Sequence, residues 1–262
     1  MTEKTYDTTL FTLSHSSMSI MEQCPRKWFL RYVEKRYIDE QQPWSDFGLL
    51  VHEVAELYRG EGGDRIKELA RQISKEKNLE VHPDYKHKVP VALRNVKRYY
   101  DKYLANSQTV KPEQNFYTDL NETLDITGSL DVLFKGQDGH WIVTDYKTSK
   151  KKGEHSRQLA VYYFLMYLIT GQKPKTLKCH IVYLSLDTLS EDIDDIVEEY
   201  VLDLEDLRFC EMRVQRSMDI IAHCAGERDL WRKKPSALCN YCEYKKPELC
   251  NAKKEDEEDS DK

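Results

Sequence analysis

The stretch that most restricts the fold of this chain is ITGSLDVLFKGQDGHWIVTDYKTSK, residues 126–150. Apolar and polar residues alternate on both sides of a glycine-containing turn, which predicts two antiparallel strands. Asp145 and Lys147 stand two positions apart in the second strand, so they share one face and Tyr146 points to the other. A hairpin of this length brings Asp131, in the first strand, alongside them. Two carboxylates and one ammonium group are therefore expected to meet at the end of a sheet.

The segments around this hairpin predict an α/β fold. Helical spacing of apolar residues, with caps and glycine stops, predicts helices near 14–23, 25–34, 45–59, 64–77, 89–105, 158–170 and 204–226. Alternation predicts three or four antiparallel strands over 113–147, a buried strand at 177–186 and an acidic strand at 193–202. Helices and strands in this order favour a mixed sheet with helices packed on it.

The length and composition fit one large soluble domain. The chain has 262 residues, 40% hydrophobic and 33% charged, enough apolar residues for a buried core. We predict a single domain over 11–251, preceded by a loose lead-in at 1–10 and followed by an acidic disordered tail at 252–262. Its apolar runs are too short to cross a bilayer and its first residues do not resemble a secretion signal. We therefore expect a cytoplasmic or nucleoid-associated protein that is not secreted.

The negative net charge is concentrated in two stretches. Residues 187–206 contain ten acids and no base, and residues 253–262 contain six acids and three lysines. These stretches carry −10 and −3 of the net charge of −6, which leaves +7 for the remainder. A basic surface that follows a phosphate backbone is therefore compatible with the composition. The alternative is that both acidic stretches are simply solvated.

The predicted carboxylate–lysine group has the chemistry of metal-assisted phosphodiester hydrolysis. Mg²⁺ is held by one or two carboxylates, with water and substrate phosphate as its other ligands. A lysine beside it can orient the attacking water and stabilise charge on the phosphate. The alternative is an ordinary cross-strand Asp–Lys pair on a solvated hairpin.

Three further side chains could complete such a site. Gln158 and Tyr162 are four residues apart in a predicted helix, so they share a face that can turn towards the strands. His52 lies among apolar residues of another predicted helix. A histidine in that position is either a hydrogen-bonded core residue or a metal ligand through a neutral ring nitrogen.

The order of these residues resembles a known family. His52, Gly128-x-x-Asp131, Asp145-Tyr-Lys147-Thr148 and Gln158-x-x-x-Tyr162 follow one another as in the PD-(D/E)xK nucleases of the RecB-like branch. The resemblance frames residues 11–251 and includes LSHSSMSIMEQCPRKWFLRY near the front. The chain departs from the usual pattern at Ser129 and Leu130, where arginine and isoleucine are frequent in the family.

The resemblance implies a restriction-endonuclease-like mixed sheet flanked by helices, with a helical insert at about 61–110. It assigns metal ligation to His52, Asp131, Asp145 and the main-chain carbonyl of Tyr146. It also implies catalytic roles for Asp131, Asp145, Lys147, Gln158 and Tyr162. Glu113 occupies the place of a further family glutamate, with Asp119 and Glu122 as competing candidates.

Four cysteines form a second pattern. Cys239-x₂-Cys242-x₇-Cys250 lies near the end of the chain, and Cys24 precedes Pro-Arg near its start. In a reducing compartment clustered thiols are better interpreted as metal ligands than as disulfides. They could hold an iron–sulfur cluster or zinc, or remain reduced thiols. The pattern resembles the iron–sulfur staple of AddB nuclease and CRISPR-associated RecB-like exonucleases. The resemblance implies a [4Fe–4S] cluster that joins the N-terminal helical part to the end segment 235–251.

Taken together, the residues and the resemblance predict a DNA exonuclease that depends on Mg²⁺ or Mn²⁺. It would hydrolyse single-stranded ends in the 5′→3′ direction, during recombination, repair or CRISPR spacer acquisition. The residues predicted to contact DNA are Lys150, Lys151, Lys152, Arg26 and Arg31.

Two other functional classes stay open. One is a catalytically silent or accessory DNA-binding subunit of a recombination or integration complex, and the other is a zinc-stapled DNA-binding protein. In each case we expect DNA and recombination or CRISPR integration proteins as partners, and no membrane. Oligomeric state is left open.

Overall fold

The computed structural model describes residues 11–38, 42–107, 109–149, 153–171, 175–188, 192–246 and 249–250. The predicted lead-in at 1–10, the tail at 252–262 and the basic run Lys150–Lys152 lie outside these residues. None of the described helices has the length and apolar character needed to cross a membrane.

Helices and strands fall close to the predicted positions. The helices are α1 (His15–Gln23), α2 (Pro25–Trp28), α3 (Ser45–Leu57), α4 (Gly63–Glu76), α5 (Pro83–Lys86), α6 (Val89–Tyr99), α7 (Ser156–Thr170) and α8 (Leu204–Cys224). The strands are β1 (Phe11–Leu13), β2 (Val110–Asn121), β3 (Leu124–Lys135), β4 (Trp141–Lys147), β5 (Leu177–Tyr183) and β6 (Val197–Leu202). Helices α2 and α6 each continue as a π-helical segment, Phe29–Val33 and Tyr100–Leu104.

Some local features were not predicted. Strand β1 and the short helix α5 have too few residues to show a period. The acidic strand begins at Val197 rather than at residue 193, because Ile193–Asp195 forms a 3₁₀ turn. Asp192 stabilises that turn by accepting a hydrogen bond from the Asp194 backbone N–H at 3.0 Å.

Contacts divide the chain into two compact units. Unit 1 comprises Met1–Glu40, Thr118–Thr127 and Glu211–Lys262, and unit 2 comprises Gln41–Tyr117 and Gly128–Cys210. The prediction of one domain over 11–251 stays a prediction, since division by contacts does not decide how the chain folds.

Unit 1 is organised around aromatic side chains. The Trp28 ring stacks on the Trp231 ring with centroids 5.1 Å apart, and Phe11 packs edge-on against Trp28 at 5.6 Å. Strand β1 pairs in parallel with the first residues of β3, with Phe11 opposite Leu124.

Unit 2 contains a mixed sheet. Strands β3 and β4 are antiparallel, with Val132 opposite Thr144, and β4 and β5 are parallel, with Asp145 opposite Ile181. Strand β6 is antiparallel to β5, and β2 pairs with β3. The predicted hairpin of β3 and β4 is confirmed, and the sheet with its helices is consistent with the expected restriction-endonuclease-like fold.

Helices α3, α4 and α6 cover one face of the unit 2 sheet. Apolar side chains of α3, such as Phe47 and Val51, join one buried cluster with Val132, Phe134 and Tyr146 of the strands. Alternation along β4 then turns Asp145 to the opposite face. Because Tyr146 is packed into the apolar cluster, the neighbouring Asp145 side chain must lie on the other face of the sheet.

A buried hydrogen-bond network connects α6 with strands β4 and β5, on the sheet face opposite to Asp145. The Tyr99 hydroxyl of α6 lies 2.7 Å from Thr144 Oγ1 and 2.8 Å from His180 Nδ1. Burial lowers the pKa of His180 from 6.5 to about 4, and the charge of Lys178 adds to the effect.

The free energy of unfolding is therefore expected to decrease as the pH falls from about 6.5 towards about 4. In this window the unfolded chain binds a proton at His180 that the folded protein does not, which costs up to about 1.4 kcal/mol per pH unit. Above about pH 6.5 His180 is neutral in both the folded and the unfolded protein, so it does not affect the pH dependence of the free energy of unfolding. Urea unfolding of wild type and His180→Gln between pH 7 and 5.5 measures the difference. Equal slopes in the two proteins would contradict the assignment.

Candidate active site

The carboxylates of Asp131 and Asp145 meet at the end of the β3–β4 hairpin. The pairing of Val132 with Thr144 sets the register that places them on adjacent strands. Asp131 Oδ2 accepts a hydrogen bond from the Tyr146 backbone N–H at 2.6 Å. The side chain of Asp131 is thus held against the strand that carries Asp145, as the sequence predicted.

Asp145 is the centre of a hydrogen-bond network and is only 5% exposed. Its Oδ1 atom accepts from Gln158 Nε2 and from the Tyr162 hydroxyl, both at 2.8 Å. The Lys147 ammonium lies 2.6 Å from its Oδ2 atom and donates to Gln158 Oε1 at 2.8 Å. Four residues from a strand and the following helix therefore form one connected group.

The approach of α7 to the sheet requires a small residue on β3. A Cβ atom added at Gly128 would lie 2.6 Å from Leu165 Cδ1 and 3.7 Å from the Tyr162 ring. Both side chains are buried on α7. The glycine of the Gly-x-x-Asp pattern therefore lets α7 pack close enough for Tyr162 to reach Asp145.

Helix α3 contributes His52. Its Nδ1 atom lies 3.1 Å from Asp131 Oδ1. Burial by itself would lower the pKa of His52, but the hydrogen bond and charge of Asp131, with a further contribution from Asp145, outweigh burial and raise it. His52 is half-buried and paired with a carboxylate, so it belongs to the site and not to the apolar core.

The pKa of the Asp145 carboxyl lies above its usual value. Burial raises the pKa of this carboxyl, Lys147 opposes the shift, and the nearby charge of Asp131 reinforces it. Oδ2 of Asp145 is buried, and the Lys147 ammonium at 2.6 Å balances its charge. A divalent cation beside the two carboxylates would reduce the repulsion between them.

A cavity of about 410 Å³ opens beside these residues. It is lined by Gly48, Leu49, His52, Glu53, Glu56, Glu113, Asp131 and Tyr146. Glu113 therefore reaches this cavity, whereas its competitors Asp119 and Glu122 are absent from the lining.

Glu56 is a lining residue that the sequence analysis missed. Burial raises its pKa, and a hydrogen bond with Glu113 adds to the shift. Its position four residues after His52 on α3 was the available signal, because residues at this spacing share a helix face.

The described residues do not contain a ready-made set of three or more His, Cys, Asp or Glu side chains that could hold a metal ion. Asp131 faces His52 and the Tyr146 N–H, while Asp145 faces Lys147 and α7. Ligation by His52, Asp131, Asp145 and the Tyr146 carbonyl, with Glu113 as a further candidate, stays a prediction. It requires these groups to exchange some of their present partners.

The four predicted cluster ligands line one cavity in unit 1. Cys24, Cys239, Cys242 and Cys250 all contribute to a space of about 220 Å³, together with apolar and basic side chains. The seven cysteines all lie within the described residues, and none of them forms a disulfide bond there. Burial raises the pKa of Cys242 and Cys250, and the other thiols of the group add to the shift. Cys179, Cys210 and Cys224 are buried elsewhere, as expected for small core residues.

The predicted DNA-contacting arginines are engaged in unit 1. Arg26 Nη1 donates to the Arg228 carbonyl at 2.8 Å, and Arg31 lies 3.8 Å from Glu243. Their contact with DNA stays a prediction, as does that of Lys150, Lys151 and Lys152 outside the described residues.

A basic groove between α4 and α6 was missed by the sequence analysis. Its basic lining residues are Lys67, Arg71, Lys75, Arg94 and Lys97. The three residues on α4 recur every four positions, which is the signal that a helix-face count would have found.

A profile of the PD-(D/E)XK nuclease superfamily matches residues 12–250. No curated protein matches the sequence. A solved structure with a similar fold is that of a putative exonuclease from Eubacterium rectale, with a TM-score of 0.54 and 14% identity over 94% of this chain and 93% of that one. A second structure, of the protein SSO0001, covers 92% of this chain and 86% of its own at 14% identity, but its TM-score of 0.36 is too low to support an argument.

The family match extends over nearly the whole chain, and it includes the strands that carry Asp131, Asp145 and Lys147. Nucleases hydrolyse phosphodiester bonds, and members of this superfamily typically use divalent metal ions. The chain belongs to the PD-(D/E)XK nuclease superfamily.

Proposed function

We propose that this protein is a DNA exonuclease that requires Mg²⁺ or Mn²⁺ and degrades single-stranded ends in the 5′→3′ direction. The observation that carries the proposal is the position of Asp131 and Asp145 on paired strands. Asp131 contacts His52 of α3, and Asp145 forms one hydrogen-bonded group with Lys147 and with the glutamine and tyrosine of α7. Recombination, repair and CRISPR spacer acquisition are the processes in which such an activity is used.

The donor set suits a hard divalent cation, since carboxylate oxygens and water are the preferred ligands of Mg²⁺. Asp131 and Asp145, with His52 and the Tyr146 carbonyl, would hold the ion, and Glu113 would complete the set. Such an ion supplies Lewis-acid stabilisation of charge on the phosphate. The position of these two carboxylates on paired strands, with Asp145 buried, supports this assignment.

Lys147 would act on the attacking water and on the developing charge of the phosphate. Its ammonium is held by Asp145 and by Gln158, so it is oriented before substrate arrives. Gln158 connects Lys147, Asp145 and Tyr162, and these three contacts fix its amide. An oriented donor at the reacting centre needs little reorganisation in the transition state.

We further propose that the four cysteines hold a [4Fe–4S] cluster that joins the two ends of unit 1. Their shared cavity supports the assignment, and thiolates are the ligands of such clusters. The role proposed for the cluster is structural. The same donor set also suits zinc, so the metal has to be identified by analysis.

The alternative, an accessory subunit without catalysis, is favoured less by the site. A pure DNA-binding scaffold has no need of a buried carboxylate beside an oriented lysine, because burial of charge costs free energy.

Degradation of end-labelled DNA tests the activity. We expect purified protein to degrade single-stranded DNA in Mg²⁺ or Mn²⁺ and to lose activity when a chelator removes the ion. Oligonucleotides labelled at the 5′ or the 3′ end report the direction, and a matching duplex and a circular single strand report the need for a free single-stranded end. Absence of cleavage under all these conditions, with DNA binding retained, would favour the accessory role.

A further inference from the structure

Helix α3 and the residue that caps its start carry a row of residues that extends beyond the candidate active site. The row consists of Trp44, Gly48, His52 and Glu56, spaced four positions apart. Residues at this spacing share one helix face, and the last three of them line the cavity beside Asp131. Trp44 has helical dihedral angles, and its carbonyl accepts a hydrogen bond from the Gly48 N–H at 2.9 Å. The row therefore continues from the cavity to the tryptophan.

Two apolar residues at this end of the helix are open to solvent. Trp44 is 53% exposed, and Leu49, which also lines the cavity, is 44% exposed. An indole ring offers a flat face of the kind on which nucleic-acid bases stack.

Gly48 lies between Trp44 and His52 in this row and adds no side chain to the surface. A Cβ atom there would be in van der Waals contact with Thr148 Oγ1 at 3.6 Å, so a larger side chain would crowd Thr148. Eight residues of helix correspond to about 12 Å. One strand in duplex geometry advances about 3.4 Å per nucleotide and would cover this distance in three to four nucleotides, and an extended single strand covers it in fewer. A strand bound at the site can therefore place a base beside the tryptophan.

We propose that Trp44 stacks on an unpaired base of the substrate, two to four nucleotides from the scissile phosphate, and thereby selects single-stranded DNA. The inference rests on the proposed nuclease function and adds to it the residue that recognises the strand. A base within a duplex is covered on both faces by its neighbours, so the ring finds a partner only in a flexible single strand. Stacking does not depend on base identity, which suits an enzyme that degrades any sequence.

Kinetics on single-stranded oligonucleotides test the proposal. Trp44→Ala is expected to raise KM by roughly 5- to 100-fold, as the loss of one base–aromatic stack predicts, with the loss on KM rather than on kcat. Trp44→Phe should recover most of the affinity. The matched control is Trp141→Ala, an exposed tryptophan at the start of β4 that packs against Lys111, which should leave KM within twofold of wild type. A Trp44→Ala effect no larger than that of the control, or confined to kcat, overturns the proposal.

Substrates with one abasic nucleotide provide a second, independent test of the stacking contact. A single abasic nucleotide moved along the strand should raise KM of wild type at one position by the same factor, and should add nothing in Trp44→Ala. Equal losses in both proteins at every position overturn the stacking contact.

Failure of the proposed function can be told apart from failure of this inference. If wild type cleaves no DNA, the nuclease proposal fails, and the dissociation constant for the oligonucleotide is then measured in Ca²⁺. Equal constants for wild type and Trp44→Ala in that measurement overturn the role of Trp44 by itself.

Discussion

Replacing Lys147 with alanine is expected to lower kcat for DNA cleavage by on the order of 100- to 1,000-fold, the effect of removing one oriented donor from a reacting centre. The ammonium is held by Asp145 and Gln158 at 2.6 and 2.8 Å, so alanine removes a preorganised charge. Initial rates on end-labelled single-stranded DNA in Mn²⁺ measure the change.

The control for this substitution is Lys178→Ala, on the neighbouring strand β5, where the lysine pairs with Asp138. It should retain wild-type kcat. DNA binding in Ca²⁺ should be similar in Lys147→Ala and wild type, because the loss concerns the reaction and not substrate capture. Activity of Lys147→Ala within a few-fold of wild type would refute the catalytic role. Absence of DNA cleavage by both wild type and Lys147→Ala would refute the nuclease proposal.

Substitution of Gln158 is expected to lower kcat for the same reason, but by a smaller factor. Since its amide connects Lys147 with Asp145 and Tyr162, Gln158→Ala should lower kcat less than Lys147→Ala does. A larger loss than that of Lys147→Ala would indicate that the glutamine contacts substrate directly.

Cys250→Ala is expected to lose iron and folded stability together. Anaerobically purified wild type should be brown and contain about four iron atoms per chain, whereas the variant should be nearly colourless. Cys24 and Cys239 are 215 positions apart. Closing a loop of this length contributes about 5 kcal/mol to the free energy of unfolding in the chain-entropy description. Elemental analysis for iron and zinc, with thermal unfolding, measures both effects.

Cys224→Ala is the matched control, because Cys224 is also a cysteine of unit 1 but does not line the cluster cavity. It should keep its iron. Full iron content in Cys250→Ala would show that this cysteine is not a ligand, and stoichiometric zinc in the wild type would replace the cluster with a zinc site.

The strand geometry of the site was predictable because it depends on local periods. Residues two positions apart in a strand lie on the same face of the sheet. This rule alone predicted that Asp145 and Lys147 share a face. Caps and glycines fixed helix ends in the same way. Ser14, for example, accepts from the Ser17 N–H at 3.1 Å at the start of α1.

The residues that other helices and strands contribute to the site were harder to predict from the sequence. His52 is 79 positions before Asp131, and a histidine among apolar residues of a helix is more often a hydrogen-bonded core residue than a metal ligand. Only the packing of α3 beside β3 brings its ring to 3.1 Å from the carboxylate. The pairing of Glu56 with Glu113 arises in the same way, from a helix and a strand that no local pattern connects.

The sequence by itself therefore determined the order of helices and strands and the shared face of Asp145 and Lys147, because backbone geometry repeats every 3.6 or 2 residues. Family resemblance added the identity of the candidate ligands. The tertiary structure decided which distant groups meet these residues, including His52, Glu56 and the buried Tyr99–His180 network. Such contacts depend on how packed elements cross, and side-chain volumes throughout the core set that crossing.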